Sequence, residues 1–214
     1  MSWSAFSSRL AEGWAALSGW ELVAVVLAIA YLLLAVRQNR LCWYAAFVST
    51  ALYTWLFWEV QLLMESLLNV YYMAMAVYGW WQWRYGGQGG RPLPVQTWPW
   101  RRHALVIAGV LAASLVSGAL LSRYTQAAWP YLDSFTSWAA VVTTFMVARK
   151  VLANWGYWMV INSLNVFLFT ERGMVLTGLL YLAYLVISLF GWASWYRDYL
   201  RQSGRVPSGQ AVHV

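Results

Sequence analysis

Seven apolar stretches, roughly residues 20–36, 41–58, 62–83, 104–121, 131–148, 151–170 and 174–196, follow one another along the chain. Each has about the length needed to cross the hydrocarbon core of a bilayer as a helix. No water reaches a backbone N–H or C=O in that medium, so a span must bond its own backbone, as a helix does. The expected fold is therefore an all-α integral membrane protein. Composition agrees: the 214 residues are 62% hydrophobic and 10% charged, against about 25% charged for a soluble domain. Many of the 17 Trp and 14 Tyr fall at the ends of the apolar runs, where interfacial belts form.

Charge placement sets an expected orientation. Arg37, Arg40, Arg84, Arg91, Arg101, Arg102, Arg149, Lys150, Arg197, Arg201 and Arg205 fall on one side of the spans, and Arg9, Arg123 and Arg172 on the other. Basic loops stay in the cytoplasm, so the N-terminus is expected outside and the C-terminus inside. The net charge of +7 does not imply a nucleic-acid partner, because these residues sit in short connections between spans. A basic segment followed by an apolar core is missing at the start, so no cleavable signal peptide is expected. The single cysteine, Cys42, allows no internal disulfide.

Ahead of the spans, Trp3, Phe6, Leu10, Trp14 and Leu17 are spaced 3, 4, 4 and 3 apart. This is one apolar stripe on a helix, predicting an amphipathic segment lying on the membrane surface.

Shifting the sequence by 112 residues superposes Arg37 on Arg149, Trp43 on Trp155, Glu59 on Glu171, Tyr72 on Tyr184, Gly79-Trp80 on Gly191-Trp192 and Trp83 on Trp195. Shared leucines are cheap in so biased a composition, but shared Trp, Gly, Glu and Arg are not. The unit is three spans, and the fourth intervening span restores its orientation. This predicts seven transmembrane helices in a 3+1+3 arrangement with parallel repeats. The chain divides into an interfacial helix (1–19), a first repeat (20–84), a cytoplasmic loop (85–103), a linker helix (104–130), a second repeat (131–197) and a cytoplasmic tail (198–214). In transporters built this way the solute site lies near midplane, between the repeats.

The stretch "ANWGYWMVINSLN" (153–165) carries the candidate site. Trp155, Trp158 and Asn162 are spaced 3 and 4 apart and share a helix face, which Asn165 continues. Amides in hydrocarbon are costly unless they face the interior. Trp faces hold a flat or cationic ligand, and an Asn can read its hydrogen-bonding edge. The competing reading, with amides joining helices and rings filling space, is weaker for four such residues on one stripe. Their mates differ: Trp43 matches Trp155, but Ala46 matches Trp158 and Thr50 matches Asn162. An asymmetric ligand needs symmetry broken. In the third span Glu65, Asn69 and Tyr72 form a second polar stripe; Glu65 could attract a cation or could be a wet interfacial carboxylate. Thr136, Thr143 and Thr144 are expected to bond back to their own helix.

Other classes fall away. No phosphate-binding glycine-rich lysine motif is present. Lys150, the only lysine, lies at a loop, so no Schiff-base chromophore can sit among the helices. His103 and His213 lie in a loop and the tail, away from any core metal site. No cofactor is expected, and no nucleophile–base constellation suggests an enzyme. A passive carrier or channel for a small organic solute remains, with a non-transporting scaffold or sensor as the competing class.

The motifs "NWGYWMVIN" (154–162), "SLLNVYYMAMAVYGWWQW" (66–83) and "RK" (149–150) resemble the PnuC family of bacterial vitamin transporters over about residues 20–197. The resemblance implies kinship with the SWEET and semi-SWEET facilitators, a homotrimer, and location in the bacterial inner membrane. It further implies facilitated diffusion, with the solute trapped by a phosphorylating cytoplasmic enzyme. It assigns solute binding to Trp155, Trp158 and Asn162, and also to Asn69 and Trp43. The family's solutes include nicotinamide riboside and, in the PnuT branch, thiamine; each combines a flat cationic ring with hydrogen-bonding groups. Asn69 stands where the nicotinamide riboside pattern tends to have Gln, and Ala153 where it tends to have Glu. These departures tilt the expectation towards thiamine.

Overall fold

The structure is a computed structural model and describes residues 3–16, 18–59, 61, 63–125 and 129–204. Its order is α1 (Trp3–Ala16), α2 (Gly19–Val36), α3 (Cys42–Glu59), α4 (Leu63–Tyr85), α5 (Trp100–Tyr124), α6 (Pro130–Ala148), α7 (Asn154–Glu171) and α8 (Val175–Gln202). Among the described residues there is no strand, only an isolated bridge between Gln96 and Val151. By length and composition α2, α5 and α8 are apolar enough to cross a membrane. The helical asparagines, Asn69, Asn154, Asn162 and Asn165, all lie in the others.

Helix starts follow local chemistry. Ser18 and Glu21 close a capping box at α2, and Pro130 opens α6 at a position where its missing N–H costs nothing. α1 is helical, and its Gly13 sits against Leu176 at the start of α8. In the predicted stripe, Leu17 and the side chains of Trp3 and Phe6 lie outside the described residues, as do His213 and the chain from 205 on. Hydropathy placed two ends too early. α5 spans Trp100–Tyr124 and α8 continues to Gln202, because its last turns are polar yet packed: Asp198 accepts from Gln38.

Helices α2, α3 and α4 pack in sequence, as do α6, α7 and α8; α4 meets α6, α2 meets α8, and α5 lies on α6. Positions 112 apart have matching geometry. Gln38 and Lys150 both take left-handed backbone, with φ of 52° and 49°. The turns around them close alike, Asn39 N to Leu34 O and Val151 N to Met146 O, both 2.9 Å. A Cβ on Gly79 would lie 2.3 Å from the Trp43 ring, and one on Gly191 would lie 2.5 Å from the Trp155 ring. Trp83 Nε1 donates to Val147 O (3.1 Å) and Trp195 Nε1 to Ala35 O (3.0 Å).

The Gly/Pro-rich connection after α4 packs closely too. Leu93 and Val95 are buried, and Gln96 exchanges backbone bonds with Lys150 and Leu152. It thus clamps the α6–α7 turn.

The glycines give a test. Adding a methyl at Gly79 or Gly191 overpacks an indole, at a cost of about 1–3 kcal/mol. At Gly109 in α5, where a Cβ meets nothing within 4 Å, the same change removes a flexible residue from a helix and gains up to ~1 kcal/mol. Thermal unfolding in detergent should therefore show Gly79→Ala and Gly191→Ala melting earlier than wild type, and Gly109→Ala no earlier. Equal midpoints for all three would disprove the indole–glycine packing.

Candidate functional site

Helix α7 enters the bundle from the 149–153 turn, and its first residues are structural. Asn154 is fully buried and donates Nδ2 to Val151 O at 2.7 Å. Trp155 is 1% exposed. Its ring lies over Gly191 and meets Trp195 edge-on, with centroids 5.5 Å apart. Trp43, 2% exposed, lies over Gly79 and meets Trp83 at 5.3 Å in the same way. Each indole is thus enclosed within its own repeat. Among the described residues neither Nε1 has a hydrogen-bond partner.

One turn on, Trp158 is only half-buried and touches both apolar clusters of the core. Asn162, 3% exposed, donates Nδ2 to Ser188 Oγ of α8 (3.3 Å), and that hydroxyl donates to Tyr184 O. Asn165 is 8% exposed, and among the described residues its amide makes no hydrogen bond. A buried amide left without partners costs free energy in any apolar surrounding.

The second stripe comes together with residues the sequence did not single out. Asn69 is buried and donates Nδ2 to Glu65 O in its own helix. Glu65 is exposed in the first turn of α4. Tyr72 lies within electrostatic reach of Tyr181, Tyr71 and Glu65. Tyr181 is similarly placed towards Glu65 and Tyr53, and Tyr184 towards Tyr53 and Tyr181. Tyr31 of α2 reaches Tyr72. Tyr72 of α4 and Tyr181 of α8 thus both lie within reach of Glu65, and Tyr181 meets the Tyr184 ring at 5.8 Å. Thr50 stands apart: its hydroxyl is spent on Ala46 O of its own helix at 2.8 Å. Thr136, Thr143 and Thr144 also bond back to their own helix.

The repeat already pairs Tyr184 with Tyr72 and Tyr181 with Asn69, and it pairs Tyr53 with Asn165. The sequence reading assigned none of these three tyrosines to the site. Tyr31, whose mate is Thr143, had no such signal. The arrangement offers one half-open indole, carboxamides from α4 and α7, and several phenol hydroxyls with a carboxylate at the rim. That set suits a flat, polar-edged, cationic organic molecule.

The family model described as nicotinamide mononucleotide transporter matches residues 18–197. The riboflavin/roseoflavin transporter RibM of Streptomyces davaonensis is 24% identical over 192 residues, which are 88% of this chain and 90% of that protein. The nicotinamide riboside transporter PnuC of Escherichia coli is 24% identical over 217 aligned positions, covering 90% of this chain and 91% of that one. The crystal structure of the vitamin B3 transporter PnuC superposes with a TM-score of 0.67 at 20% identity, covering 92% of this chain and 89% of that one.

The amides of α7 separate in a stability measurement. Asn165→Ala removes no hydrogen bond, so the thermal midpoint should stay at the wild-type value. Ser188→Ala strands the Asn162 amide and should lower it slightly, since an interhelical bond of this kind is worth about 0.6 kcal/mol. A marked loss for Asn165→Ala would make Asn165 a structural residue.

Proposed function

Because the chain belongs to the nicotinamide mononucleotide transporter family, the PnuC family, we propose that it carries nicotinamide riboside into the cell by facilitated diffusion. It is a membrane transporter of a vitamin, not an enzyme. The observation that carries the solute reading is Asn165, buried and unpartnered, one turn from Asn162 on the face that Trp158 opens. A pyridinium ring stacks on the Trp158 face by cation–π attraction. Its carboxamide pairs with Asn162 and Asn165, the ribose hydroxyls with Asn69 and the Tyr72–Tyr181–Tyr184 group, and Glu65 offsets the positive charge. Trp43 and Trp155 back this wall from within each repeat.

Seven spans in a 3+1+3 arrangement, N-terminus outside, fit the charge placement and the matching geometry at a spacing of 112. The inner membrane of a bacterium is the corresponding location. Net uptake needs no coupling ion if a cytoplasmic kinase phosphorylates the solute, because the product no longer fits the carrier.

Asn69 and Ala153 tilted the sequence reading towards thiamine. The relatives named above carry nicotinamide riboside or riboflavin, and this moves thiamine down the order. Riboflavin is the second reading, supported by the riboflavin/roseoflavin carrier at the same identity.

Calorimetric titration of the purified protein with nicotinamide riboside, riboflavin and thiamine orders the three. Tightest binding by nicotinamide riboside is the expected result; a protein that binds only one of the others overturns the assignment. Asn162→Leu should weaken binding by at least ~tenfold, since a carboxamide then faces no partner. Wild-type affinity in a folded Asn162→Leu variant removes that residue from the site.

A further inference from the structure

Among the described residues, the hydrogen bonds between the two repeats run from mid-bundle to one end. The first, at mid-bundle, is Tyr71 OH to Val141 O, 2.9 Å. They continue towards the basic end through Arg149 to Tyr78, Trp83 to Val147 and Trp195 to Ala35. They finish in the turns, where Lys150 Nζ donates to Gln38 Oε1 (3.0 Å) and Gln38 Nε2 donates to Asp198 Oδ2 (2.7 Å). At the opposite end the bonds stay within a repeat: Ser66 to Thr54 O, and Arg172 to Asp133. Among the described residues the basic end is therefore where the two repeats are fastened most densely.

Lys150 is the unusual member. It is buried, stands 4.7 Å from the centroid of the Trp83 ring, and has Gln38, its own 112-residue mate, as acceptor. Burial pushes its amine down to about 8; Cys42 and Asp198 pull it up, and Arg40 adds to the lowering. Asp198 is shared with Arg201 at 3.6 Å. A buried cation is a poor permanent fastener, because an apolar pair of the same volume holds at least as well. It is a suitable temporary one. When the end opens, water hydrates the amine and offsets the lost bonds, which keeps the two states close in free energy.

We propose that Gln38, Lys150 and Asp198 form a latch whose breaking opens the basic end of the solute path. They act on the opening step and not on solute contact, so they set how readily that end opens. This rests on the transporter reading, but its test does not require the solute.

Cys42, the only cysteine, is buried at the start of α3 beside the latch. Its rate of modification by N-ethylmaleimide, in purified full-length protein, reads opening. Gln38→Leu leaves the Lys150 amine buried without its acceptor and should speed labelling by roughly tenfold or more. The double variant Gln38→Leu with Lys150→Met removes the stranded charge and should label slowly again. A wild-type labelling rate for Gln38→Leu, or a double variant as fast as the single one, overturns the latch. If Gln38→Leu does not fold, Asp198→Leu replaces it with the same expected acceleration, and a wild-type rate there also overturns the proposal. Failure of any vitamin to bind wild-type protein counts against the solute reading alone.

Discussion

Two tryptophan N–H groups tie the halves of this protein together. Trp83 and Trp195 each end a repeat, and each donates to a carbonyl in the last turn of the helix that begins the other repeat. Carbonyls there have lost most of their intrahelical donors and are ready acceptors. The rings themselves meet at 5.8 Å across the junction, and Trp43 and Trp155 lean on them edge-first from either side. For those two indoles to lie flat, the facing helix must be glycine, at Gly79 and Gly191. The same end needs tight αL turns to bring the next helix back alongside, which Gln38 and Lys150 provide. Position by position, the most specific residues of the chain serve one junction.

That frame was legible in the sequence because it is built from rare, large or conformationally special residues, and these survive comparison at a spacing of 112. What covers each residue was less legible. The spacing marks Trp43 and Trp155 as a matched pair but does not say that glycine receives their faces. Tyr53 was hidden by abundance, since a membrane protein with 14 tyrosines places many of them at interfaces, and Tyr181 and Tyr184 stood only as repeat mates with no site role. The connection after α4 reads as a Gly/Pro-rich spacer. Its packing depends on Leu93, Val95 and Gln96 meeting a turn more than fifty residues away, and no local pattern announces that.

Symmetry is kept at some depths and broken at others. Near the basic end several matched positions are identical and do the same job, tryptophan on glycine and indole to carbonyl, although Gln38 stands opposite Lys150. At mid-bundle the mates diverge, with Asn162 opposite Thr50, Asn165 opposite Tyr53, Asn69 opposite Tyr181 and Ser188 opposite Ala76. A junction that holds two like halves is served by like residues, while a small molecule lacking two-fold symmetry is not.

Polar groups are held in more than one way. A membrane helix can keep an amide at little cost when a neighbour supplies a partner, as Ser188 does for Asn162. Asn165 has no such neighbour among the described residues, and a leucine would have been the cheaper choice there. The indole N–H groups of Trp43 and Trp155 are likewise unpartnered among the described residues, and they are more fully enclosed. The fastening at the basic end obeys the opposite logic: its polar groups are partnered, but across the junction and partly through one buried amine. At mid-bundle the pairings stay mainly within one repeat, as Asn69 with Glu65 O and Asn162 with Ser188 Oγ do, so the middle and the basic end of the bundle are held by different means.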